Sequence, residues 1–153
     1  MLPADVKVAC AAPDRFPEII RLLMSARIGA EEEWSADMVI EATVEKELVG
    51  CCALDFVENV AILHSLAVEK PMRRKGIGNT LVENSVEIAR RRHAGCIVAL
   101  TMFWNVKFFR KCGFVTISRR LLPERLAGHP SIFGPMFRHA TPMIRQIDCA
   151  GQV

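Results

Sequence analysis

The sequence lacks tyrosine, C-x-x-C pairs and any apolar run long enough to span a membrane. Its N-terminal stretch is interrupted by Asp5, Lys7, Asp14 and Arg15, so no signal peptide is predicted. We therefore expect a cytoplasmic protein without membrane association. In that compartment the six cysteines are predicted to be reduced and mostly buried, forming neither disulfides nor a metal site.

The chain also lacks a strong charge imbalance. Its formal net charge is +3, which is too small to predict nucleic-acid binding by itself. Cations cluster at 73–75 and 90–92, but no aromatics are interleaved with them and no recognition helix is apparent. Nucleic acid is therefore not an expected partner. If the protein did bind nucleic acid through these cations, the binding would weaken steeply with salt concentration.

With 153 residues, of which 51% are hydrophobic, the chain is predicted to form a single globular domain over residues 1–153. Hydrophobic periodicity predicts one helix with Asp14 as its N-cap and two more over 76–92 and 105–114. Strands are predicted at 6–12, 39–44, 48–57, 60–68, 96–100 and 114–117, with a weak last strand in PMIRQI. This order predicts an α/β (α+β) fold with helices flanking a mixed, largely antiparallel central sheet.

Three adjacent cations stand directly before two glycines at the start of the second predicted helix. Arg73, Arg74 and Lys75 repel one another, and Gly76 and Gly78 cost conformational entropy. The first N–H groups of a helix have no internal partner, and together with the helix dipole they favour an anion. Glycine lets that anion approach the backbone closely. The pattern predicts a phosphate-binding turn, and an ordinary solvated helix start is the alternative.

The spacing of these residues differs from two common phosphate-binding motifs and resembles a third. A Walker loop is absent, and the Rossmann fingerprint fails because Leu81 stands at its third glycine position. The remaining pattern, R-x-x-G-x-G from Arg73, resembles the pyrophosphate-binding motif of the Gcn5-related N-acetyltransferase (GNAT) superfamily. The segment FFRKCGF (108–114) resembles the F-Y-x-x-x-G-F segment of the same family. The resemblance covers residues 40–117 best.

The segments LHSLAVEKPMRRKGIG and LPERL narrow the resemblance. They are similar to small amino-acid acetyltransferases of the N-acetylglutamate synthase type and to arsenic-resistance acetyltransferases. The resemblance implies a GNAT-like fold and acetyl-CoA (coenzyme A) as the cofactor, with pantetheine along the strand end and pyrophosphate on the turn. The implied cofactor contacts are Leu66, Ala67, Val68, Arg73, Arg74, Lys75, Gly76, Ile77, Gly78, Asn79, Phe108 and Phe109.

Acetylation of an amine requires a group that removes the amine's proton. His64, on the strand before the turn, is the candidate base, acting through water; a structural or substrate-orienting histidine is the alternative. A backbone N–H near Leu66 would stabilise the oxyanion. The family often protonates the leaving thiolate with a tyrosine, but Phe109 stands there, and a thiol with a pKa of about 8.5 can leave unaided.

The substrate contacts are predicted from charge and position. Glu32 and Glu33, in the acidic run that begins at Glu31, could hold a cationic amine, and a solvated charged face is the alternative. Thr101 and His64 complete the predicted substrate contacts. The segment 119–141 is expected to provide substrate selectivity or a homodimer contact, and its candidate cations for a substrate carboxylate are Arg119, Arg125 and Arg138.

The sequence therefore predicts an acetyl-CoA-dependent N-acetyltransferase that acts on the primary amine of a small molecule, an amino acid in the first instance. Direct transfer in a ternary complex is expected, because no base stands beside a cysteine to support an acyl-enzyme. The alternatives are a non-catalytic acyl-CoA-binding regulatory module and a protein N-acetyltransferase.

Overall fold

The computed structural model of the chain describes residues 2–3, 5–26, 28, 34–122, 126, 129 and 139–147. Within these residues one sheet has the strand order β1-β2-β3-β4-β5-β7-β6, and three α-helices accompany it. The strands are β1 Val6–Cys10, β2 Met38–Val44, β3 Glu47–Val57, β4 Val60–Val68, β5 Cys96–Thr101, β6 Val115–Thr116 and β7 Thr141–Gln146. The α-helices are α1 Phe16–Ser25, α2 Ile77–Arg91 and α3 Val106–Lys111. The predicted mixed fold is confirmed.

The fold comprises two compact units. Of the described residues, those within 2–55 and 65–85 form the first unit, and those within 56–64 and 86–147 form the second. Strand β4 and helix α2 each contribute residues to both units. The prediction of a single functional domain over 1–153 stays a prediction.

In the first unit, an antiparallel meander of β1, β2 and β3 is covered on both faces of β3. The β2–β3 hairpin turns at Glu45 and Lys46, whose positive φ angles of 49° and 70° match the twist that a two-residue turn needs. Side chains of α1 form a core cluster with Cys51 on one face of β3. On the other face, Cys52 contacts the Ser85 hydroxyl of α2 at 3.2 Å. Successive strand residues point to opposite faces, so the Cys51–Cys52 pair packs against both helices.

In the second unit, β5 lies between a parallel and an antiparallel neighbour. The parallel β4–β5 pairs run from Val60 with Cys96 to Leu63 with Ala99. On its other side β5 pairs with β7 antiparallel along its whole length. Burial on both faces explains why β5 is almost entirely apolar. Its core cluster comprises Val60, Ile62, Cys96, Val98, Leu122 and Leu126.

One expectation from the sequence is corrected by the structure. Helix α1 begins at Phe16 rather than after Asp14, because Pro13–Arg15 first wind into a 3-10 turn, and no side chain caps that turn. The prediction that the cysteines are mostly buried is confirmed among those that the structure describes, where Cys10 is exposed and the other four are buried. No helix within the described ranges has the length and apolar character needed to cross a membrane.

Candidate active site

The turn between β4 and α2 is built from the strand end outward. After Val68, the Glu69 N–H donates to the carbonyl oxygen of Val49 at 2.8 Å, which holds the turn against β3. A short 3-10 turn, Lys70–Met72, follows. Arg73 is then extended, and its Nε donates to the carbonyl oxygen of Val68 at 2.9 Å. The side chain of Arg73 therefore ties the turn back to the last residue of the strand.

Two residues of the turn have left-handed backbone conformations. Arg74 has a φ of 63° and Gly76 a φ of 85°. Glycine adopts this region without steric cost, whereas a side chain makes it unfavourable. The left-handed backbone at position 76 therefore favours glycine. Gly78, by contrast, lies inside the first turn of α2 with no unusual φ.

Gly76 is the N-cap of α2. Its carbonyl oxygen accepts hydrogen bonds from the Thr80 N–H and the Thr80 Oγ1, both at 3.0 Å. An N-cap serine or aspartate would bond the N–H groups of the first turn with its own side chain, and glycine has no oxygen to offer them. Backbone N–H groups at this helix end are therefore suited to an external anion.

The same turn carries the positive charge of the site. Arg73, Arg74 and Lys75 are all exposed, directly before the positive end of the α2 dipole. Exposed cations alone contribute little binding energy, because water and salt screen them. Beside a glycine-capped helix start they raise the local concentration of anions, which the backbone N–H groups can then bind.

The first two turns of α2 are fixed by close packing on β3. A Cβ built on Gly50 would lie 3.2 Å from the Ala67 carbonyl oxygen, 3.2 Å from Leu81 Cδ1 and 3.3 Å from Ile77 Cγ2. The absence of a side chain at Gly50 therefore lets the helix approach the sheet. Ile77 and Leu81 are buried. This contact sets the position of the α2 N-terminus relative to the strand end at Val68.

Strand β4 kinks at Ser65, directly before Leu66–Val68, the part of the strand that is predicted to contact the cofactor. Ser65 has a φ of 56°, which is uncommon for any residue other than glycine. Two side chains hold it: Trp34 Nε1 donates to the Ser65 hydroxyl at 3.1 Å, and the Cys51 thiol lies 3.7 Å from the Ser65 carbonyl oxygen. Beyond the kink, Leu66 and Val68 are half-buried and Ala67 is buried.

The other predicted residues lie in the second unit. His64 is half-buried on β4, one residue beyond the last β4–β5 pair. Thr101 is buried at the end of β5, and its backbone pairs with Thr141. Arg119 donates to the carbonyl oxygen of Ala140 at 3.0 Å and so ties its own segment to the start of β7. The roles of these residues in base catalysis or substrate binding stay predictions.

The two phenylalanines of α3 differ in exposure. Phe108 is half-buried, whereas Phe109 is 6% exposed and packs edge-to-face on both Phe108 and Phe114. Gly113, with a φ of 87°, ends the helix and lets the Phe114 N–H reach the carbonyl oxygen of Phe109 at 3.0 Å. Phe109 is therefore a core residue of this unit, and Phe108 is the better placed of the two to contact a ligand.

The buried cysteines of β3 are poor nucleophiles. Burial raises the pKa of the Cys51 thiol to about 12, and burial likewise raises the pKa of the Cys52 thiol to about 12. The thiolate is the reactive form, and at neutral pH almost none is present at such a pKa. Neither thiol is therefore activated as a nucleophile at neutral pH.

Sequence reasoning missed two residues and predicted others that the structure does not describe. Nothing in the sequence marked Ser65 as left-handed, and its partner Trp34 is 31 positions away along the chain. A tryptophan directly after the acidic run was the one available signal. The predicted substrate residues Glu32 and Glu33 lie outside the described residues, as do Arg125 and Arg138.

Comparison with known proteins identifies the class to which this fold and turn belong. The sequence model of the Acetyltransferase (GNAT) family matches residues 11–114, which is more than half of the chain. The chain therefore belongs to the GNAT family of acetyltransferases, as the sequence motifs predicted. An uncharacterised N-acetyltransferase of Chlorobaculum tepidum is 31% identical over 86 residues. That match spans 56% of this chain and 54% of that protein, so the chain covers about half the length of this curated relative.

Solved structures show the same fold at lower sequence identity. N-acetylglutamate synthase from Neisseria gonorrhoeae, complexed with coenzyme A and N-acetyl-glutamate, matches with a TM-score of 0.81 at 22% identity. The match covers 95% of this chain and 36% of that one. A Mycobacterium tuberculosis protein complexed with coenzyme A matches with a TM-score of 0.73 at 19% identity, over 93% of this chain and 99% of that one. At these identities the likeness shows the fold alone.

Proposed function

We propose that the chain is an acetyl-CoA-dependent N-acetyltransferase that transfers an acetyl group directly to the primary amine of a small molecule, in the first instance an amino acid. The observation that carries this proposal is the glycine-capped start of α2. There Gly76, with a φ of 85°, follows three exposed cations and directly precedes α2, in the turn that begins where β4 ends. Membership of the GNAT family supports the same function.

The residues of the turn fit the pyrophosphate of coenzyme A. The first N–H groups of α2 begin at Ile77, directly after Gly76, and would bond phosphate oxygens at the positive end of the helix dipole. Arg74 and Lys75 would attract the phosphates, while Arg73 keeps the turn closed through Val68. Coenzyme A brings the activated acetyl group as a thioester.

The backbone of β4 would hold the acetyl end of the donor. Leu66 and Val68 would bind pantetheine through their main-chain groups, as the family resemblance implies. The Leu66 N–H would donate to the oxyanion that forms at the acetyl carbon. His64, two residues earlier on the same strand, would accept the amine's proton through water. The thiolate would leave without a general acid, since the buried Phe109 has no proton to give.

Direct transfer is supported by the thiols of β3. With a pKa of about 12, neither Cys51 nor Cys52 supplies a thiolate for an acyl-enzyme. An amino-acid acceptor is supported by the resemblance to the N-acetylglutamate synthase type. The neighbour from Neisseria gonorrhoeae, whose structure holds N-acetyl-glutamate, has an acetylated amino acid in its complex.

The proposal is tested by measuring thiol release from acetyl-CoA with a panel of free amino acids, simple amines and short peptides. We expect release that depends on one amino acid. Turnover with peptides only would identify a protein N-acetyltransferase. Coenzyme A binding without turnover on any acceptor would instead identify an acyl-CoA-binding regulatory module.

The control variants separate cofactor binding from general loss of charge. Arg74→Ala with Lys75→Ala removes two exposed cations from the turn, and Arg91→Ala removes an exposed cation at the other end of α2. We expect the turn variant to raise the KM for acetyl-CoA by about fivefold, because exposed charges contribute at most about 1 kcal/mol each. The Arg91 variant should leave that KM unchanged.

A further inference from the structure

We propose that Trp34 is a positioning residue for acetyl transfer: by hydrogen bonding Ser65, it holds the left-handed kink that aims the Leu66 N–H at the oxyanion. This inference rests on the proposed function, because only a transferase has an oxyanion to stabilise.

The kink is a conformation that the rest of the structure must maintain. Ser65 has a φ of 56° inside a strand, where an ordinary residue would be extended. A strained backbone persists only when its surroundings over-determine it. Two neighbours hold Ser65 in this conformation: Trp34 bonds its side chain, and Cys51 contacts its main-chain carbonyl oxygen.

Trp34 supplies the side-chain bond. Its indole Nε1 donates to the Ser65 hydroxyl at 3.1 Å, and the ring is half-buried. The ring itself is held by Phe16, which meets it edge-to-face with the centroids 6.1 Å apart, and by the apolar cluster of α1. A tryptophan fixed in this way gives its hydrogen bond a definite direction.

Cys51 supplies the main-chain contact. Its sulfur lies 3.7 Å from the Ser65 carbonyl oxygen, in the position of a weak thiol donor. Because burial keeps the pKa of this thiol near 12, the S–H proton is present throughout the neutral range. The carbonyl of Ser65 and the N–H of Leu66 belong to the same peptide plane. Fixing the carbonyl therefore also fixes the direction of the Leu66 N–H.

A cycle of substitutions tests the inference. Trp34→Phe keeps an aromatic ring and removes its hydrogen bond to Ser65. Ser65→Gly removes the hydroxyl that Trp34 binds, and glycine adopts the left-handed conformation without support from a side chain. We expect Trp34→Phe to lower kcat about tenfold, a fraction of what losing an oxyanion donor costs. The Kd for coenzyme A should stay unchanged. In the Ser65→Gly background, Trp34→Phe should have no further effect on kcat.

A matched control separates positioning from packing. Leu23→Val disturbs the same cluster and removes no hydrogen bond or ring contact of Trp34, and we expect it to lower Tm while kcat is kept. The inference would be overturned if Trp34→Phe reduced kcat equally in the serine and glycine backgrounds, or if Leu23→Val reduced kcat as much as Trp34→Phe does.

A spectroscopic measurement keeps this test distinct from that of the proposed function. The backbone carbon chemical shifts of Ser65 report its φ angle and need no turnover. In Trp34→Phe they should move from left-handed toward extended values. If the shifts move and the native protein acetylates nothing, Trp34 does hold the left-handed conformation of Ser65, and the transferase proposal has failed. If the shifts do not move, Trp34 does not hold the kink.

Discussion

The guanidinium Nε of Arg73 donates to the carbonyl oxygen of Val68 at 2.9 Å, five positions back along the chain. One side chain thereby closes the segment that joins the end of β4 to the start of α2. The arginine that begins the R-x-x-G-x-G pattern acts on the fold of the turn in addition to contributing charge.

Arg73→Lys keeps the charge of the turn and removes the hydrogen bond to Val68. We expect coenzyme A affinity to fall about fivefold, since a hydrogen bond contributes about 1 kcal/mol. Isothermal titration of coenzyme A measures this directly. Arg74→Lys is the matched control, and it should bind coenzyme A as the native protein does. Equal affinities for Arg73→Lys and the native protein would show that Arg73 acts through charge alone.

Gly76→Ala places a side chain at a φ of 85°. A left-handed conformation costs an ordinary residue about 1–2 kcal/mol, so we expect the free energy of unfolding to fall by that amount. Urea unfolding provides the value, and coenzyme A titration should show weaker binding because the new Cβ stands beside the helix start. Gly95→Ala is the control, because its Cβ would meet Asn59 Nδ2 at an ordinary 3.6 Å. Equal losses in the two variants would contradict the special role of Gly76.

The sequence predicted the elements well and the local backbone poorly. The strands at 60–68 and 96–100 and the second helix were found within a residue or two, because apolar runs and helical periodicity reflect burial directly. The turn at Gly76 was predictable because glycine marks backbone conformations that other residues avoid. Serine carries no such signal, and the Trp34–Ser65 bond joins distant parts of the chain, so the kink in β4 could not be predicted.

The start of α1 was predicted wrongly for a related reason. Asp14 has the side chain of a good N-cap, but Pro13 fixes a 3-10 turn that carries Asp14 past the capping position. Which of the two local preferences prevails depends on packing, because α1 must place Ile19 and Leu23 in the core. Propensity alone does not contain that information.

Phe109→Tyr tests whether the reaction proceeds without a general acid. Phe109 is enclosed by Phe108 and Phe114, so a hydroxyl there would be buried. We expect a loss of about 1–3 kcal/mol in the free energy of unfolding and no gain in kcat. Phe108→Tyr is the control, because that residue is half-buried and its hydroxyl can reach water more easily. A large rise in kcat for Phe109→Tyr would show that the native reaction is limited by protonation of the thiolate.

Alkaline pH should destabilise the protein through the thiols of β3. The pKa values of Cys51 and Cys52 are raised by burial from the ordinary value of 9.0 to about 12. Folding therefore favours the protonated thiols: their contribution is complete below pH 9 and is lost as the pH rises toward 12. Each thiol should cost roughly 1 kcal/mol of stability between pH 9 and pH 10.

Urea unfolding across this pH range checks the prediction. The double variant Cys51→Ala with Cys52→Ala should show a shallower alkaline decline than the native protein, even if its stability at neutral pH is lower. Cys10→Ala is the control, because that thiol is exposed and its removal should leave the pH dependence unchanged. Identical alkaline slopes in the native protein and the double variant would exclude this origin.

The central claim is that the turn before α2 binds the pyrophosphate of coenzyme A. It is tested most directly by following backbone amide resonances of the isotope-labelled protein during titration with coenzyme A, and separately with pantetheine, which has no phosphates. The account predicts saturable shifts at the amides of Gly76, Ile77 and Gly78 with coenzyme A and much smaller ones with pantetheine. Binding that leaves these amides unmoved, or no binding of coenzyme A at all, would contradict it.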